Sequence, residues 1–212
     1  MIYNYSYNPI HHRDGEVINY LKQKNFKVVD IGASYNSWSN DVSTAVIDAV
    51  DYENPDKLFF KGDINSFELW SRVLEYVNEH GKFDFSICTH TLEDISNPGL
   101  VVSMLSKISN NGFISFPSKY AECPRHGQPF RGWMHHRWIF NYEQGAVIAY
   151  PKLPFTEYLD YLNDVPHDVQ KEELSFFWSD TCDIQIINND FFPSEQFMVD
   201  AYKNLLDNEN NL

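Results

Sequence analysis

The chain has 212 residues, which is enough for one sizeable core and too short for two full domains. With 16 Lys and Arg against 30 Asp and Glu, its formal net charge is -14, which disfavours nucleic acid and anionic lipid as partners. The first residues lack the charged and apolar regions of a signal peptide, and no apolar run is long enough to span a bilayer. We expect a single-domain, soluble, cytoplasmic protein that binds neither nucleic acid nor membrane.

Three cysteines, Cys88, Cys123 and Cys182, are scattered along the chain without a CxxC spacing. An odd number of widely separated cysteines is typical of reduced thiols rather than of a disulfide framework. The cysteines therefore agree with a reducing compartment.

Apolar runs alternate with helical patterns over the first half of the chain. We predict helices at 14–25, 65–80 and 98–109, and strands at 26–32, 44–50, 58–62, 83–90 and 113–118. The Asn110-Asn111-Gly112 sequence predicts a turn before the last of these strands. Because strands that alternate with helices pair in parallel through crossovers, the pattern predicts a doubly wound α/β domain.

The pattern is looser after Pro117. Residues 119–140 predict a long loop on the substrate side, followed by further elements at 141–205. WIFNYE and GAVIAYP predict a hairpin near the sheet edge, and DIQIIN predicts a last strand. Residues 156–178 are expected to be mostly helical, and a helical tail begins near Glu195. At the other end of the chain, His11 and His12 are placed in a mobile arm.

Polar residues end every predicted strand. In chain order these ends are Asp30 to Ser34, Asp48 with Asp51, Gly62 with Asp63, Thr89 to Thr91, and Pro117 with Ser118. Ligands of open parallel sheets bind outside the carboxyl ends of the strands, so these residues are the first candidates for a binding site. An acid can accept both hydroxyls of a ribose, and a glycine lets the backbone approach a ligand closely.

The segments that carry these residues resemble a known family. VVDIGAS, VIDAVD, KGDI, FDFSICTHTLEDISNP and NNGFISFPS are similar, in this order, to the successive motifs of the class I S-adenosylmethionine-dependent methyltransferases. THTLEDISNP looks like the HxLEH segment of that family, with Asp94 at the position of the second histidine. HTLEDI, PSxxxE and GWxHHRW together resemble a narrower group of methyltransferase-like proteins. The general resemblance covers about residues 26–118, and the narrower one extends it to about residue 140.

The resemblance implies a Rossmann-like, mostly parallel sheet with an inserted loop and hairpin after the fifth strand, and S-adenosylmethionine as the cofactor. Asp30 and Gly32 would close the first strand around the methionine part. Asp48 or Asp51 would bind the ribose, with Asp48 preferred because it ends the most apolar part of its strand. Asp63 would contact adenine. The cofactor-binding residues predicted in this way are Asp30, Gly32, Ser34, Asp48, Asp51, Asp63 and His90.

The glycine loop departs from the family pattern. Where the family usually has DxGxGxG, residues 30–38 read DIGASYNSW, with one glycine. We therefore expect a wider or differently shaped loop. Only about 15 residues separate Gly32 from Asp48, so the helices after the first and second strands are predicted to be short or missing.

The loop after Pro117 is rich in Pro, Gly, His and Arg. Long loops in compact domains usually carry function, so we predict that this loop folds over the carboxyl edge of the sheet. It would then bring His135 or His136 near His90 and Glu122. The predicted catalytic residues are His90, His135, His136 and Glu122, and no metal site is predicted. For the histidine pair, a general base, a metal ligand and a hydrogen-bonded hinge all stay open.

Three arginines, Arg125, Arg131 and Arg137, lie in the same loop. They either pair with local carboxylates or form a clamp for an anionic or sugar-like substrate.

Two functions follow as hypotheses. The first is methyl transfer from S-adenosylmethionine to an oxygen or nitrogen of a small molecule or glycan. The alternative, which the single glycine favours, is a catalytically degenerate protein of the same fold that binds a different ligand or a protein partner. A metal-dependent hydrolase that uses the histidine and carboxylate cluster is a more distant third. The sequence does not fix the oligomeric state.

Overall fold

The computed structural model describes residues 1–34, 36–50, 56–187 and 194–206. The strands in this part of the chain are β1 (Ile2–Asn8), β2 (Val28–Ile31), β3 (Ala45–Asp48), β4 (Leu58–Lys61), β5 (Phe83–Thr89), β6 (Ser109–Pro117), β7 (Trp138–Glu143), β8 (Ala146–Pro151), β9 (Glu173–Ser179) and β10 (Ile184–Ile186). The helices are α1 (Asp14–Lys24), α2 (Phe67–His80), α3 (Pro98–Ile108), α4 (Lys119–Glu122) and α5 (Glu195–Lys203). Short 3-10 helices cover Trp38–Asp41, Pro154–Tyr158 and Asp160–Asp164.

Seven strands form the central sheet in the order β1-β9-β6-β5-β2-β3-β4. The five strands β2 to β6 are mutually parallel, whereas β9 runs antiparallel to both β6 and β1. The predicted α/β class and the mostly parallel sheet are therefore confirmed. Strands β2 and β5 pair directly, with Asp30 opposite Ile87.

Helices cover both faces of this sheet. Alternate strand residues face opposite sides, so Phe113 and Phe177 pack with Val17 and Leu21 of α1 on one face. Helices α2 and α3 bury their apolar sides on the other face, together with the smaller sheet. Both helices have a side-chain N-cap, which is Ser66 for α2 and Asn97 for α3.

In the connection from β2 to β3, the helical part of the described residues between Gly32 and Ala45 is the 3-10 helix Trp38–Asp41. This confirms that the helix after the first predicted strand is short. The segment between β3 and β4 includes residues 51–55, which lie outside the described residues together with the predicted ribose ligand Asp51. The described residues between β2 and β3 therefore contain no α-helix.

Several predicted elements are wrong. Strand β6 already begins at Ser109, so the predicted turn at residues 110–112 is part of a strand. The region predicted as mostly helical at 156–178 holds two 3-10 helices and then most of β9. The amino terminus is not a mobile arm, because β1 forms the sheet edge against β9. In each case pairing with a distant strand, which local sequence does not encode, decides the structure.

The predicted hairpin is present as β7 and β8, but it does not extend the main sheet. It forms a separate three-stranded sheet with β10, which lies parallel to β8. The three cysteines are free and buried. Among the helices of the described residues, none is long and apolar enough to cross a membrane.

Candidate functional site

A cleft of about 410 Å³ opens at the carboxyl ends of β2 and β5. This is the edge where open parallel sheets bind their ligands. The residues that line the cleft are His11, Asp14, Asp30, Gly32, Ala33, Ser34, Asn36, Ser37, Trp38, Thr89 and His90. Four predicted cofactor-binding residues are among them, namely Asp30, Gly32, Ser34 and His90. Two strand ends that are far apart in sequence thus meet at one cavity.

Asp30 is a carboxylate at the cleft wall with only 2% of its surface exposed. Its Oδ2 accepts hydrogen bonds from the hydroxyls of Ser37, at 3.2 Å, and Ser39. Burial raises the pKa of Asp30 to about 6, although the two hydroxyls and the positive charge of Lys57 oppose this rise. Asp30 is therefore ionised at neutral pH in a dry environment, where it interacts strongly with a cationic ligand.

Gly32 adopts a left-handed conformation with φ +75°. Its amide donates to the carbonyl of Ile47 at 2.9 Å, and a Cβ at this position would collide with the Thr91 side chain. Thr91 in turn donates its hydroxyl to the carbonyls of Ile31 and Thr89. The fold itself therefore requires glycine here, because both the backbone angle and the close packing of Thr91 exclude a side chain.

His90 follows β5 in a left-handed conformation, with φ +48°. Its Nε2 donates to Glu173 Oε2 at 2.8 Å, and its Nδ1 lies 3.5 Å from Glu93 Oε1. Burial alone would lower the pKa of His90, but the bonds to Glu173 and Glu93 outweigh it and raise the pKa to about 10. His90 is thus a cation at neutral pH, and a protonated imidazole does not act as a general base.

The amino-terminal segment closes one side of the cleft. His11 Nδ1 lies 3.0 Å from Asp14 Oδ2, and the His11 amide donates to Glu173 Oε2 at 3.2 Å. The His11 and His90 rings lie 4.9 Å apart. Sequence reasoning missed His11, Asp14 and Glu173 as cleft residues. One usable signal was the alternation of tyrosines in IYNYSYN, which is typical of a strand.

Carboxyl groups predominate in the cleft and its wall. Burial raises the pKa values of Asp14, to about 6, and of Glu93, while His90 is the only group with a raised basic pKa beside them among the described residues. Three buried carboxylate oxygens have no hydrogen-bond partner in the described structure, namely Asp14 Oδ1, Glu93 Oε2 and Glu173 Oε1. The cleft thus suits a ligand with positive charge and hydrogen-bond donors.

Asp48 and Asp63 lie outside the lining of this cleft. Asp48 ends β3 and accepts from the Val50 amide at 2.7 Å, and its charge contributes to the raised pKa of Asp30. Asp63 is exposed and accepts from the amide and side chain of Asn65, which organises the turn before α2. The charge of Asp48 therefore acts on Asp30 in the cleft wall, whereas the contacts of Asp63 are those of a turn residue.

A second cleft of about 470 Å³ lies in the loop after β6. It is lined by Ser96, Met134, His135, His136, Arg137, Trp138, Lys152 and Leu153. His136 is buried and its Nδ1 lies 2.6 Å from Glu122 Oε1, whereas His135 is two-thirds exposed. Both histidines approach Asp94, which belongs to the segment after β5. The loop therefore brings His136 to Glu122, as predicted from the sequence.

Glu93 connects the two clefts. Its side chain contacts His90 in the first cleft, and its carbonyl accepts from the Arg137 amide of the second cleft at 2.6 Å. His90 and Asp94 are four residues apart, so their Cα atoms are separated by at most about 14 Å. His135 and His136 were predicted to lie near His90. Among the described residues neither contacts His90 directly, and Glu93 links the two clefts.

Two of the three loop arginines do not form the substrate clamp considered above. Arg131 is buried and donates to the carbonyls of Cys123, Thr156 and Leu159. Arg125 pairs with Glu157 at 3.1 Å. Both guanidinium groups hold the loop against the 3-10 helices, whereas Arg137 lines the second cleft.

Solved structures of similar shape include several that are described as methyltransferases or have SAH bound. The N-terminal domain of EvdMO1 with SAH bound matches with a TM-score of 0.45 and 7% identity, over 81% of this chain and 82% of that one. A possible histamine N-methyltransferase from Thermotoga maritima matches with a TM-score of 0.41 and 8% identity, over 81% of this chain and 99% of that one. A third structure is the MycE methyltransferase of the mycinamycin pathway in complex with Mg, SAH and mycinamycin VI. It matches with a TM-score of 0.41 and 14% identity, over 90% of this chain and 53% of that one.

No protein-family model and no curated protein matches the sequence. The TM-scores above are too low to assign the chain to a family. Its function therefore has to be argued from its own residues.

Proposed function

We propose that this chain binds S-adenosylmethionine in the cleft at the ends of β2 and β5, and transfers its methyl group to a small-molecule or glycan acceptor. The observation that carries the proposal is the acidic character of this cleft, with ionised Asp30 in its wall and Asp14 beside it. S-adenosylmethionine carries a sulfonium and an ammonium group, and both are attracted by buried carboxylates. The sequence likeness to the methyltransferase motifs, including the narrower HTLEDI and GWxHHRW group, is part of the same proposal.

The same cleft disfavours a dinucleotide. Phosphate groups are usually bound by the amino terminus of a helix that follows the first strand. Here the described part of the segment after β2 holds the short 3-10 helix Trp38–Asp41 and no α-helix, and the carboxylates nearby would repel phosphate. A ligand with adenosine but without phosphate satisfies both constraints.

The acceptor side is assigned to the second cleft, with His136 as the group that removes a proton or binds the acceptor. His90 is assigned to the cofactor cleft and not to proton removal, since its pKa of about 10 keeps it protonated. Methyl transfer requires in-line approach of the acceptor to the methyl carbon, so positioning carries much of the rate enhancement. Glu122 would orient His136 through the bond to Nδ1.

Titration calorimetry of the full chain with S-adenosylmethionine, S-adenosylhomocysteine and NAD⁺ tests the proposal. We expect saturable binding of the two adenosyl ligands and none of NAD⁺. If neither adenosyl ligand binds at millimolar concentration, the alternative applies, namely a protein of this fold that binds a different ligand or a protein partner. If both adenosyl ligands bind, an acceptor can be sought with a panel of small molecules and glycans in an assay for S-adenosylhomocysteine release.

Asp48→Ala is expected to weaken S-adenosylhomocysteine binding roughly 10- to 100-fold, which corresponds to the loss of charged hydrogen bonds to the ribose hydroxyls. Asp48 is half-buried at the end of β3, where a ribose beside Asp30 would lie. Calorimetry measures the change, with Glu79→Ala on the exposed side of α2 as the control. Unchanged affinity in both Asp48→Ala and Asp51→Ala would place the nucleoside elsewhere.

His136→Ala is expected to lower turnover by roughly 100-fold, the lower range for a lost general base. Binding of S-adenosylhomocysteine should stay nearly intact, because His136 lines the second cleft and not the first. The rate of S-adenosylhomocysteine release measures this effect, and His80→Ala, an exposed histidine on α2, is the control. A variant with full turnover would make the histidine pair structural.

A further inference from the structure

Three side chains from two distant segments converge beside the second cleft. Asp94 follows β5, whereas His135 and His136 belong to the loop before β7. One ligand atom of each residue lies within 4.8 Å of those of the other two. His136 Nε2 is 3.6 Å and His135 Nε2 is 3.9 Å from Asp94 Oδ1. These separations are longer than hydrogen bonds, so the three groups surround a point without bonding one another.

Neighbouring residues fix the ring of His136. Only 8% of its side chain is exposed, and its Nδ1 bonds to Glu122 Oε1 at 2.6 Å. The other oxygen of Glu122 accepts from Lys152 Nζ at 2.6 Å, and Lys152 also donates to the Trp133 carbonyl. Because a carboxylate paired with lysine only accepts, Nδ1 carries the proton that it donates. The other ring nitrogen, Nε2, faces Asp94 Oδ1.

This arrangement is typical of a metal-binding histidine. Such histidines donate the ring proton that is not at the metal to a carboxylate, which sets the tautomer and orients the ring. Two imidazole nitrogens and one carboxylate oxygen form a ligand set for divalent transition metals, with further positions open to water or another ligand. Here the open side is the cleft of about 470 Å³.

We propose that Asp94, His135 and His136 bind a divalent transition metal ion, such as Zn²⁺, and that Glu122 positions His136 for this role. The three sequence motifs HTLEDI, PSxxxE and GWxHHRW each contribute one part of the site: Asp94, Glu122 and the histidine pair. The inference stands on these contacts and does not depend on methyl transfer. Where both proposals hold, the ion would bind an acceptor oxygen and lower its pKa, in place of a base role for His136.

A second group of candidate ligands, His11, His90 and Glu173, lies in the first cleft. It fits a metal ion less well, because both nitrogens of His90 face carboxylates and carry protons. A metal ion there would have to displace a tightly held proton. The two groups can be separated by experiment, because they share no residue.

The test uses the full chain freed of metal and titrated with ZnCl₂ by calorimetry, with Co²⁺ absorption spectra as a second readout. We expect one Zn²⁺ per chain. His135→Ala and Asp94→Asn should each weaken binding at least about 10-fold, and Glu122→Gln should weaken it about 10- to 100-fold through the orientation of His136. His135 and Asp94 are exposed, so their variants should fold normally, which circular dichroism can verify. His11→Ala and His80→Ala are the controls and should bind as wild type.

Absence of saturable Zn²⁺ and Co²⁺ binding would overturn the proposal. So would binding that His135→Ala and Asp94→Asn leave unchanged, or binding that His11→Ala abolishes. Titration of the same variants with S-adenosylhomocysteine separates the two proposals. If the wild-type chain binds Zn²⁺ but does not bind S-adenosylhomocysteine, the proposed function is contradicted and the metal site is supported.

Discussion

Asp30→Asn is expected to stabilise the fold at pH 8 and to weaken S-adenosylmethionine binding. The pKa of Asp30 is about 6 in the folded chain against 3.8 as its ordinary value, because burial penalises the charge. The folded state therefore binds the proton more tightly than the unfolded state. The contribution of Asp30 to stability is present at low pH and is lost as the pH rises through 6.

The size of the effect follows from the shift. A difference of about two pKa units corresponds to about 3 kcal/mol of stability lost at pH 8, and an uncharged amide of the same shape avoids this cost. Part of the gain disappears because the hydroxyls of Ser37 and Ser39 now face a weaker acceptor. We expect a net gain of about 1 to 3 kcal/mol at pH 8, and a much smaller one at pH 4. Urea unfolding at the two pH values measures it.

The loss of binding follows from the same charge. S-adenosylmethionine is cationic at its sulfur and S-adenosylhomocysteine is not, so the variant should lose more affinity for the former. Calorimetry with both ligands gives the difference, and Glu79→Gln on α2 serves as the control. A variant that is less stable than wild type at pH 8, or that keeps full affinity for S-adenosylmethionine, would show that Asp30 is a structural residue. A stabilised variant without ligand binding is the outcome expected of a functional site.

The strands that build the first cleft were predictable because their signals are local. VVDI and FSICT are short apolar runs that end in polar residues. Such runs predict buried parallel strands independently of the rest of the sequence. Asp30, Gly32 and His90 were located as the residues at the ends of these strands. The rule that ligands bind at this edge of the sheet then placed them together.

The residues that were missed depend on distant pairing. Glu173 reaches His90 because β9 pairs with β6 and sets Glu173 opposite Pro117. His11 reaches Glu173 because β1 pairs with β9. At Gly112 a local turn signal gave the wrong answer, since a Cβ there would collide with the side chains of Trp178 and Ser86. The glycine is required for close packing inside the sheet and not for a turn.

The second cleft was only partly predictable for a similar reason. The contact of His136 with Glu122 was expected from the length and composition of the loop. The role of Lys152 was not, because this residue arrives from the end of the β7–β8 hairpin. Its position depends on how the smaller sheet packs on the larger one, which the local sequence does not encode.

Lys152→Met is expected to cost about 3 to 5 kcal/mol of unfolding free energy, the usual effect of leaving one partner of a buried ion pair alone. Glu122 is fully buried, and its Oε2 accepts from Lys152 Nζ at 2.6 Å. Without the lysine, the hydrogen bond that the carboxylate keeps within the described part of the chain is the one from His136 at its other oxygen. Urea unfolding monitored by circular dichroism measures the change.

Two variants decide whether the ion pair causes this loss. Lys203→Met removes an equivalent pair on the surface of α5, where Lys203 Nζ lies 3.0 Å from Asp200 and both side chains are half exposed. Its cost should be small beside that of Lys152→Met, because water and salt screen an exposed pair. The double variant Glu122→Gln with Lys152→Met leaves no unpaired charge, so it should recover most of the stability lost in the single variant. If the double variant is no more stable than the single one, the loss comes from side-chain packing at Lys152 and the charge of Glu122 is not responsible.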